Sequence, residues 1–307
     1  MNGRSTSAIV VSYRTGPVLQ QSLAALMALP ELTEIIIVDN GNWPDEHRFL
    51  DQLAASRTGV RLLRPGSNMG FAQACNLAAE QAVGDYVALI NPDLIVPPET
   101  FPAVFDAFDA HPQAWLCGAR LCNMDGSEQR GGRREVATPW RALAEVLRLA
   151  RLFPNHPHFR RMHMHEIPTP DGVVEVATVS GAFMVMPRRL WRELGGFDAR
   201  MFLHVEDADL CLRIHKAGGV VLYCGNASVF HHLSTSDVPT LFIEWHKARS
   251  GALYFRKHFA SVYPNWALTM VIAALWARWL LLCLFQGPKN LRWLIIYLRR
   301  RLIMGPD

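Results

Sequence analysis

No Cys-x-x-Cys pair, no internal repeat and no long basic tract in the first 240 residues marks this 307-residue sequence, and each absence removes a class of protein. The six cysteines, Cys75, Cys117, Cys122, Cys211, Cys224 and Cys283, are scattered through apolar segments. That scatter argues against a disulfide framework or a zinc site, and for reduced, buried thiols in a cytosolic protein. A net charge of only +4 gives no reason to expect nucleic acid as a partner. Met1 to Ser7 is short and polar and lacks the apolar stretch of a secretion signal, so the working part of the chain is expected in the cytoplasm. No Gly-x-Gly-x-x-Gly turn follows Val11, which counts against a dinucleotide-binding dehydrogenase.

What is present is apolar and periodic. Half of the residues are hydrophobic, enough to bury a sizeable core in one large domain, or in one domain with an appendage. Ala8–Tyr13, Glu34–Val38, Val60–Leu63 and Asp85–Ile90 read as strands. Between them run helical patterns, with Leu19, Leu23, Leu26 and Leu29 in the first and Asn68 to about Val83 in another. This alternation predicts an α/β fold with a mostly parallel central sheet covered by helices on both faces. Further on, Pro97–Phe108 predicts a helix and Ala114–Leu121 a strand. Arg130–Gly172, rich in Arg, His and Pro, predicts a long loop carrying an amphipathic helix near Trp140–Leu152. Regular structure is expected again over Glu175–Met186, in helices at Pro187–Leu194 and Glu206–Ala217, and in two short strands at Val220–Cys224 and Ala227–Phe230.

The C-terminal region, 241–307, has a different character. Trp266–Phe285 is almost wholly apolar apart from Arg278, and Gly287-Pro288 is expected to end that helix. Twenty helical residues span about 30 Å, just the thickness of a bilayer core. A central Arg would cost about 2.5–3.5 kcal/mol in a true span. The next segment, Leu291–Met304, mixes aromatic residues with Arg292 and Arg299-Arg300-Arg301. Together they predict a helix lying on the anionic cytoplasmic face of the inner membrane, ahead of a packed hairpin or a homo-oligomer interface.

The chemistry-bearing residues sit where an open α/β sheet binds ligands, beyond the carboxyl ends of its strands. Asp39 ends the second apolar run, where a carboxylate can accept hydrogen bonds from a nucleobase or ribose, although Asp-Asn-Gly is also an ordinary turn. Asn91-Pro92-Asp93 follows the fourth strand, and a carboxylate fixed there suits Mg²⁺ or Mn²⁺ bridging two phosphates. Taken alone, that tripeptide is as good an Asx/Pro turn. Glu206-Asp207-Ala208-Asp209 places three carboxylates at a helix start between apolar residues; Asp209 and Arg213, four apart, can pair. His231-His232 follows a short strand and could touch a metal or a diphosphate. His156, His158, His163 and His165 lie in a loop without neighbouring carboxylates or cysteines and read as a solvated basic lid.

In order along 8–236, Val11-Ser12-Tyr13, Val38-Asp39-Asn40-Gly41, Asn68-Met69-Gly70-Phe71-Ala72, Asn91-Pro92-Asp93, Ser180-Gly181-Ala182-Phe183, Gly195-Gly196-Phe197-Asp198, Glu206-Asp207-Ala208-Asp209-Leu210 and His231-His232 closely resemble family 2 glycosyltransferases. Within that family the set looks most like the bacterial rhamnosyltransferase subgroup. The resemblance implies a GT-A fold over 1–240, with a nucleotide-sugar half to about 125 and an acceptor half from about 126. It implies an inverting, metal-dependent transferase that takes L-rhamnose from dTDP-L-rhamnose to a glycan or lipid-linked acceptor in polysaccharide synthesis. UDP-galactofuranose, UDP-glucose or GDP-mannose as donor, or a non-catalytic nucleotide-sugar binder, are the alternatives. Carried over by position, Asp39, Ser12, Tyr13, Asn68, Asn91 and Asp93 would line the donor site, and Asp93 and His231 the metal. Asp207 would be the general base, with Gly181, Ala182, Glu206, Asp209 and His232 as acceptor-side or supporting residues. Cys75, where the subgroup often has Asn, and Asn42-Trp43 after the Asp-Asn-Gly are departures from its pattern.

Overall fold

The computed structural model describes residues 4–153, 156–159, 162–233 and 235–304. The side chains of 288, 289 and 291–304 lie outside that description, so the expected basic-aromatic face of Leu291–Met304 does too. By contacts the chain divides into two compact units: 1–136 with 163–199 and 206–237, and 137–162 with 200–205 and 238–307.

The first unit is built on β1 (Thr6–Ser12), α1 (Val18–Met27), β2 (Leu32–Asp39), α2 (Pro44–Ser56), β3 (Val60–Leu63), α3 (Phe71–Gln81) and β4 (Tyr86–Ile90). There follow β5 (Leu94–Ile95), α4 (Thr100–Ala110), β6 (Ala114–Cys122) and β7 (Arg133–Arg134). Every residue of β1 is buried, because it runs parallel to β2 on one side and β4 on the other, under helices on both faces. Its alternation sorts the core into two layers. Ala8 and Val10 join Leu19, Leu23 and Leu26 of α1, whereas Ile9 and Val11 join Ala72 and Ala78 of α3. An aliphatic side chain buried this fully contributes about 1.5–3 kcal/mol.

After α5 (Pro139–Val146) and α6 (Leu149–Leu152) of the second unit, the first continues with β8 (Val173–Glu175), β9 (Thr178–Val179), β10 (Phe183–Pro187), α7 (Arg188–Glu193), α8 (Glu206–Lys216) and β11 (Val220–His231). The nine-stranded sheet has the order β3-β2-β1-β4-β10-β6-β11-β5, with β8 beside β11. Strand β10 is antiparallel to β4 and β6, and β11 is parallel to β6. The carboxyl ends of β1, β2, β4 and β11 therefore emerge on one edge, together with the start of β10.

Three local expectations are corrected. The two short strands at 220–230 are one, because a register shift between Cys224 and Ser228 absorbs Gly225, Asn226 and Ala227. Glycine is required there: a Cβ on Gly225 would lie 2.0 Å from the Pro170 carbonyl oxygen. The single helix near 140–152 is two, since Arg148 sits at φ 54 between α5 and α6. Thr138 caps α5, its hydroxyl accepting from the Arg141 N–H at 3.2 Å.

The third correction concerns the second unit, where α9 (Thr240–Phe259) and α10 (Asn265–Met304) pack together. α10 runs straight through Gly287-Pro288 as a single 40-residue helix. An internal proline removes one backbone hydrogen bond and crowds the preceding turn, a local loss that a long helix can absorb. Arg278, which interrupts the apolar run in sequence, turns to Glu244 of α9 at 2.7 Å. Beside it the Trp279 indole donates to the Leu241 carbonyl at 3.1 Å.

Candidate active site

At the end of β2, Asp39 is held from several sides. Its Oδ1 accepts from the Asn42 backbone N–H (3.2 Å) and side-chain amide (2.8 Å); its Oδ2 meets His47 of α2 and Arg64 (3.2 Å). Burial pushes the Asp39 carboxyl up, but the charge of His47, the Asn42 donors and Arg64 outweigh it and keep the carboxyl below its usual range. The carboxylate is thus engaged within the protein rather than projecting openly at the strand end. Ser12, fully buried, donates to the Asn42 Oδ1 at 3.0 Å, so Asn42, a departure from the subgroup pattern, ties Ser12 to Asp39. Arg14 lies over the rings of Tyr13 (4.8 Å) and Trp43 (4.6 Å). Asn68 is also engaged: its Oδ1 accepts from the Asn40 amide at 2.9 Å and from the Gly70 N–H at 3.0 Å. The Asp-Asn-Gly and Asn-Met-Gly-Phe motifs thereby lock to each other.

Past β4, Asp93 faces β11. His231 Nε2 lies 3.0 Å from its Oδ1, Thr235 donates to its Oδ2 at 3.0 Å, and the His232 N–H donates to its backbone carbonyl at 3.2 Å. Burial raises the Asp93 carboxyl, yet the hydrogen bond and charge of His231, with Thr235, outweigh burial and hold it below its usual range. The Asn91 amide nitrogen stands 3.4 Å from His231 Nε2. His232 Nε2 is buried without a hydrogen-bond partner. One carboxylate and one imidazole suit a borderline cation such as Mn²⁺ whose remaining ligands are phosphate or water oxygens. Among the described residues no group of three or more His, Cys, Asp or Glu side chains converges as a metal cage.

The acidic cluster opens α8. Asp207 Oδ2 is gripped by Arg134 of β7 and by the Gly181 N–H at 3.0 Å, while among the described residues its Oδ1 accepts only from its neighbour Ala208 N–H at 2.7 Å. Burial pushes the Asp207 carboxyl up, but Arg134 and the two N–H donors hold it below its usual range, ionised at neutral pH. Glu206 is the reverse: burial, and then the charge of Asp207, raise it to about 8, and its Oε2 is buried without a hydrogen-bond partner. Adjacent carboxyls driven apart in this way divide into a base and a proton-holding group. A Cβ on Gly181 would stand 3.3 Å from the Asp207 Cβ, so that backbone approaches the cluster closely. His204 and Val205, just before α8 in the chain, adopt φ 64 and 73, a left-handed conformation that is strained for a β-branched residue.

Asp209 serves structure. Fully buried, it pairs with Arg213 at 2.8 Å, whose other nitrogens donate to the carbonyls of Leu194 (2.8 Å) and Gly196 (2.6 Å). Asn76, beside the departing Cys75, grips the same turn, its amide bonding both the Phe197 carbonyl (2.8 Å) and N–H (2.9 Å). The Gly-Gly-Phe-Asp motif is thereby held by α3 and α8.

Two links bring the parts together. The Asn91 N–H donates to the Ala182 carbonyl at 2.8 Å, joining the Asn-Pro-Asp turn to the Gly181-Ala182 segment against Asp207, and Asn91 also reaches His231. Asp93, His231, Asn91, Gly181, Ala182, Glu206 and Asp207 form one continuous site at the sheet edge. Asp39, Ser12 and Tyr13 lie along the same edge at the ends of β1 and β2, and Asn68, in the loop after β3, bonds to Asn40 there. Sequence reasoning missed Arg134, Gln129, Thr235, His47 and Arg64. Of these only Arg134 carried a signal, as half of an Arg pair in the loop set aside as a lid.

The sequence profile of Glycosyl transferase family 2 matches residues 7–178, and that of Glycosyl transferase family group 2 matches 148–305. An N-acetylglucosaminyl-diphospho-decaprenol L-rhamnosyltransferase of Mycobacterium tuberculosis is 30% identical over 271 residues, 83% of this chain and 81% of that protein. Among solved structures, GalNAc-T7 with UDP, GalNAc and Mn²⁺ has a TM-score of 0.58 at 15% identity, over 83% of this chain and 50% of that one. The mannosyltransferase PcManGT of Pyrobaculum calidifontis, with GDP-Man and Mn²⁺, has a TM-score of 0.56 at 16% identity, over 98% of this chain and 76% of that one. These structural likenesses show the GT-A fold expected from the sequence.

Proposed function

The chain belongs to glycosyl transferase family 2, of the rhamnosyltransferase type, and from that premise we propose that it is an inverting enzyme moving L-rhamnose from dTDP-L-rhamnose onto a lipid-linked glycan in cell-surface polysaccharide synthesis. The observation that carries this reading is the Asp207 carboxylate, buried and ionised, with Oδ2 clamped by Arg134 and Gly181. Its Oδ1, which among the described residues accepts from the Ala208 N–H alone, keeps a lone pair for an acceptor hydroxyl.

In a single displacement Asp207 removes the acceptor proton as that oxygen attacks the anomeric carbon, and the bond to the nucleoside diphosphate breaks. Glu206, holding its proton at neutral pH, adds no second charge beside the base. Asp93 and His231 would hold a Mg²⁺ or Mn²⁺ ion, which when bound neutralises charge on the departing diphosphate. The ends of β1 and β2, with Ser12, Tyr13, Asp39 and Asn68, would seat the nucleotide. The catalytic part lies within 1–240, and 241–307 is its helical appendage.

A screen of purified protein against dTDP-rhamnose, UDP-galactofuranose, UDP-glucose and GDP-mannose, with and without Mn²⁺, tests the donor. Turnover is expected with dTDP-rhamnose first and to depend on the cation. Preference for a UDP or GDP sugar would overturn the rhamnose assignment and leave the transferase class standing.

The lipid-linked acceptor draws support from α10. Its outward stripe, Trp266, Met270, Leu280, Leu281, Leu284 and Phe285, is 55–79% exposed and apolar, while Arg278 is turned to Glu244. A one-sided apolar stretch followed along the same helix by Lys289, Arg292 and Arg299-Arg300-Arg301 suits attachment in the plane of an anionic membrane surface. Full-length protein is expected to co-sediment with phosphatidylglycerol vesicles and to be partly released by salt. Protein that stays in the supernatant at low salt would rule the attachment out.

A further inference from the structure

Gln129, 3% exposed, meets the ring nitrogen of His231 that does not face Asp93, and nothing in the sequence marked it. Its orientation follows from unambiguous partners. The His231 backbone carbonyl can only accept, so the Gln129 atom 3.4 Å from it is the amide nitrogen. The same nitrogen donates to the Asn123 Oδ1 at 3.2 Å. Asn123 is oriented in turn: its amide nitrogen donates to Ser127 Oγ (2.9 Å), whose hydroxyl is drawn to Asp125 Oδ1 (2.6 Å). A carboxylate thus anchors the far end of the chain of hydrogen bonds and sets its direction throughout. The Gln129 carbonyl oxygen is left facing His231 Nδ1 at 2.7 Å, so Nδ1 must carry the proton and donate.

With Nδ1 committed, His231 directs Nε2 at Asp93 Oδ1, 3.0 Å away, and the Asn91 amide at 3.4 Å is the other group facing it. A lone pair and a carboxylate oxygen that close repel unless positive charge lies between or on them. We infer that Gln129 is a positioning residue that fixes the His231 ring and presents its Nε2 lone pair, beside Asp93, to a divalent cation. The inference rests on the proposed reading of Asp93 and His231 as the cation's protein ligands. Gln129 occupies the place that a carboxylate or carbonyl takes behind a metal-bound histidine, where the partner of the second ring nitrogen orients the first.

The test is Mn²⁺ binding by the full-length protein in the presence of dTDP, with free ion followed by electron paramagnetic resonance. Gln129→Met, close in volume, is expected to weaken Mn²⁺ binding about tenfold or more, within the range for lost outer partners of a ligand. Its binding of dTDP without Mn²⁺ is expected to stay at the wild-type level. If Gln129→Met binds Mn²⁺ like the wild type while Asp93→Asn and His231→Ala do not, the positioning role is overturned and the cation site stands. If Asp93→Asn and His231→Ala also bind like the wild type, the cation site falls and the inference with it. Should Gln129→Met fail to fold, nitrogen-15 spectra of the wild-type imidazole decide the matter. A ring protonated on Nδ1 in the metal-free protein, with or without a second proton on Nε2, upholds the inference, and a ring protonated on Nε2 alone overturns it.

Discussion

Asp207→Asn is expected to lower transfer by about three to four orders of magnitude, the upper range for loss of a positioned general base, while dTDP binding stays within a fewfold of wild type. The amide keeps the shape and an oxygen for the Gly181 N–H, so the acceptor pocket is preserved, but it cannot take the acceptor's proton. It also leaves the Arg134 guanidinium, only 17% exposed, facing a neutral group. Breaking a buried pair costs up to about 3–5 kcal/mol, so Tm should fall and turnover should be compared at a temperature where both proteins are folded. In the wild type, the depressed Asp207 carboxyl predicts full activity through neutral pH and an acid limb below the usual carboxylate range. The sign for stability is the same: the pairing stabilises the fold above the usual Asp range and is lost as pH falls through the depressed value. Near-wild-type turnover by folded Asp207→Asn would remove Asp207 as the base.

Asp93→Asn is the second large effect, expected to lower kcat/KM by about two to three orders of magnitude. The substitution keeps a hydrogen-bonding group toward Thr235 and His231 and removes only the charge, so the fold should survive. The loss should shrink as Mn²⁺ is raised, because His231 and the diphosphate oxygens would still offer ligands to the cation. Steady-state rates over a Mn²⁺ titration read this directly. Equal rates for the variant and the wild type at every Mn²⁺ concentration would show that Asp93 has no part in cation binding.

Much of the fold was legible because its elements are locally coded. The buried strands are apolar runs, as at Ile35-Ile36-Ile37-Val38, and β2 and β4 end where Asp39 and Asn91 change the character of the chain. Helix α2 was missed because its mean composition is polar and only Leu50 and Leu53 are buried. Gly225-Asn226 and Gly287-Pro288 misled in the same way: each is a local breaker, overridden by strand pairing in one case and by continuation of a long helix in the other. Asp209 was legible as a partner of Arg213, four residues on, because one helix face brings such pairs together.

By itself the sequence determined the class of fold, the order of its motifs and the carboxylates available for chemistry, since these depend on short-range pattern. Tertiary structure alone decided what those carboxylates face. Arg134 meets Asp207 across 73 residues, Gln129 meets His231 across 102 and Thr235 meets Asp93 across 142. A buried charge must find its compensating group wherever the folded chain places one, and no periodicity announces such a partner. Those long-range partners keep Asp207 ionised, hold Asp93 below its usual range and face the second ring nitrogen of His231.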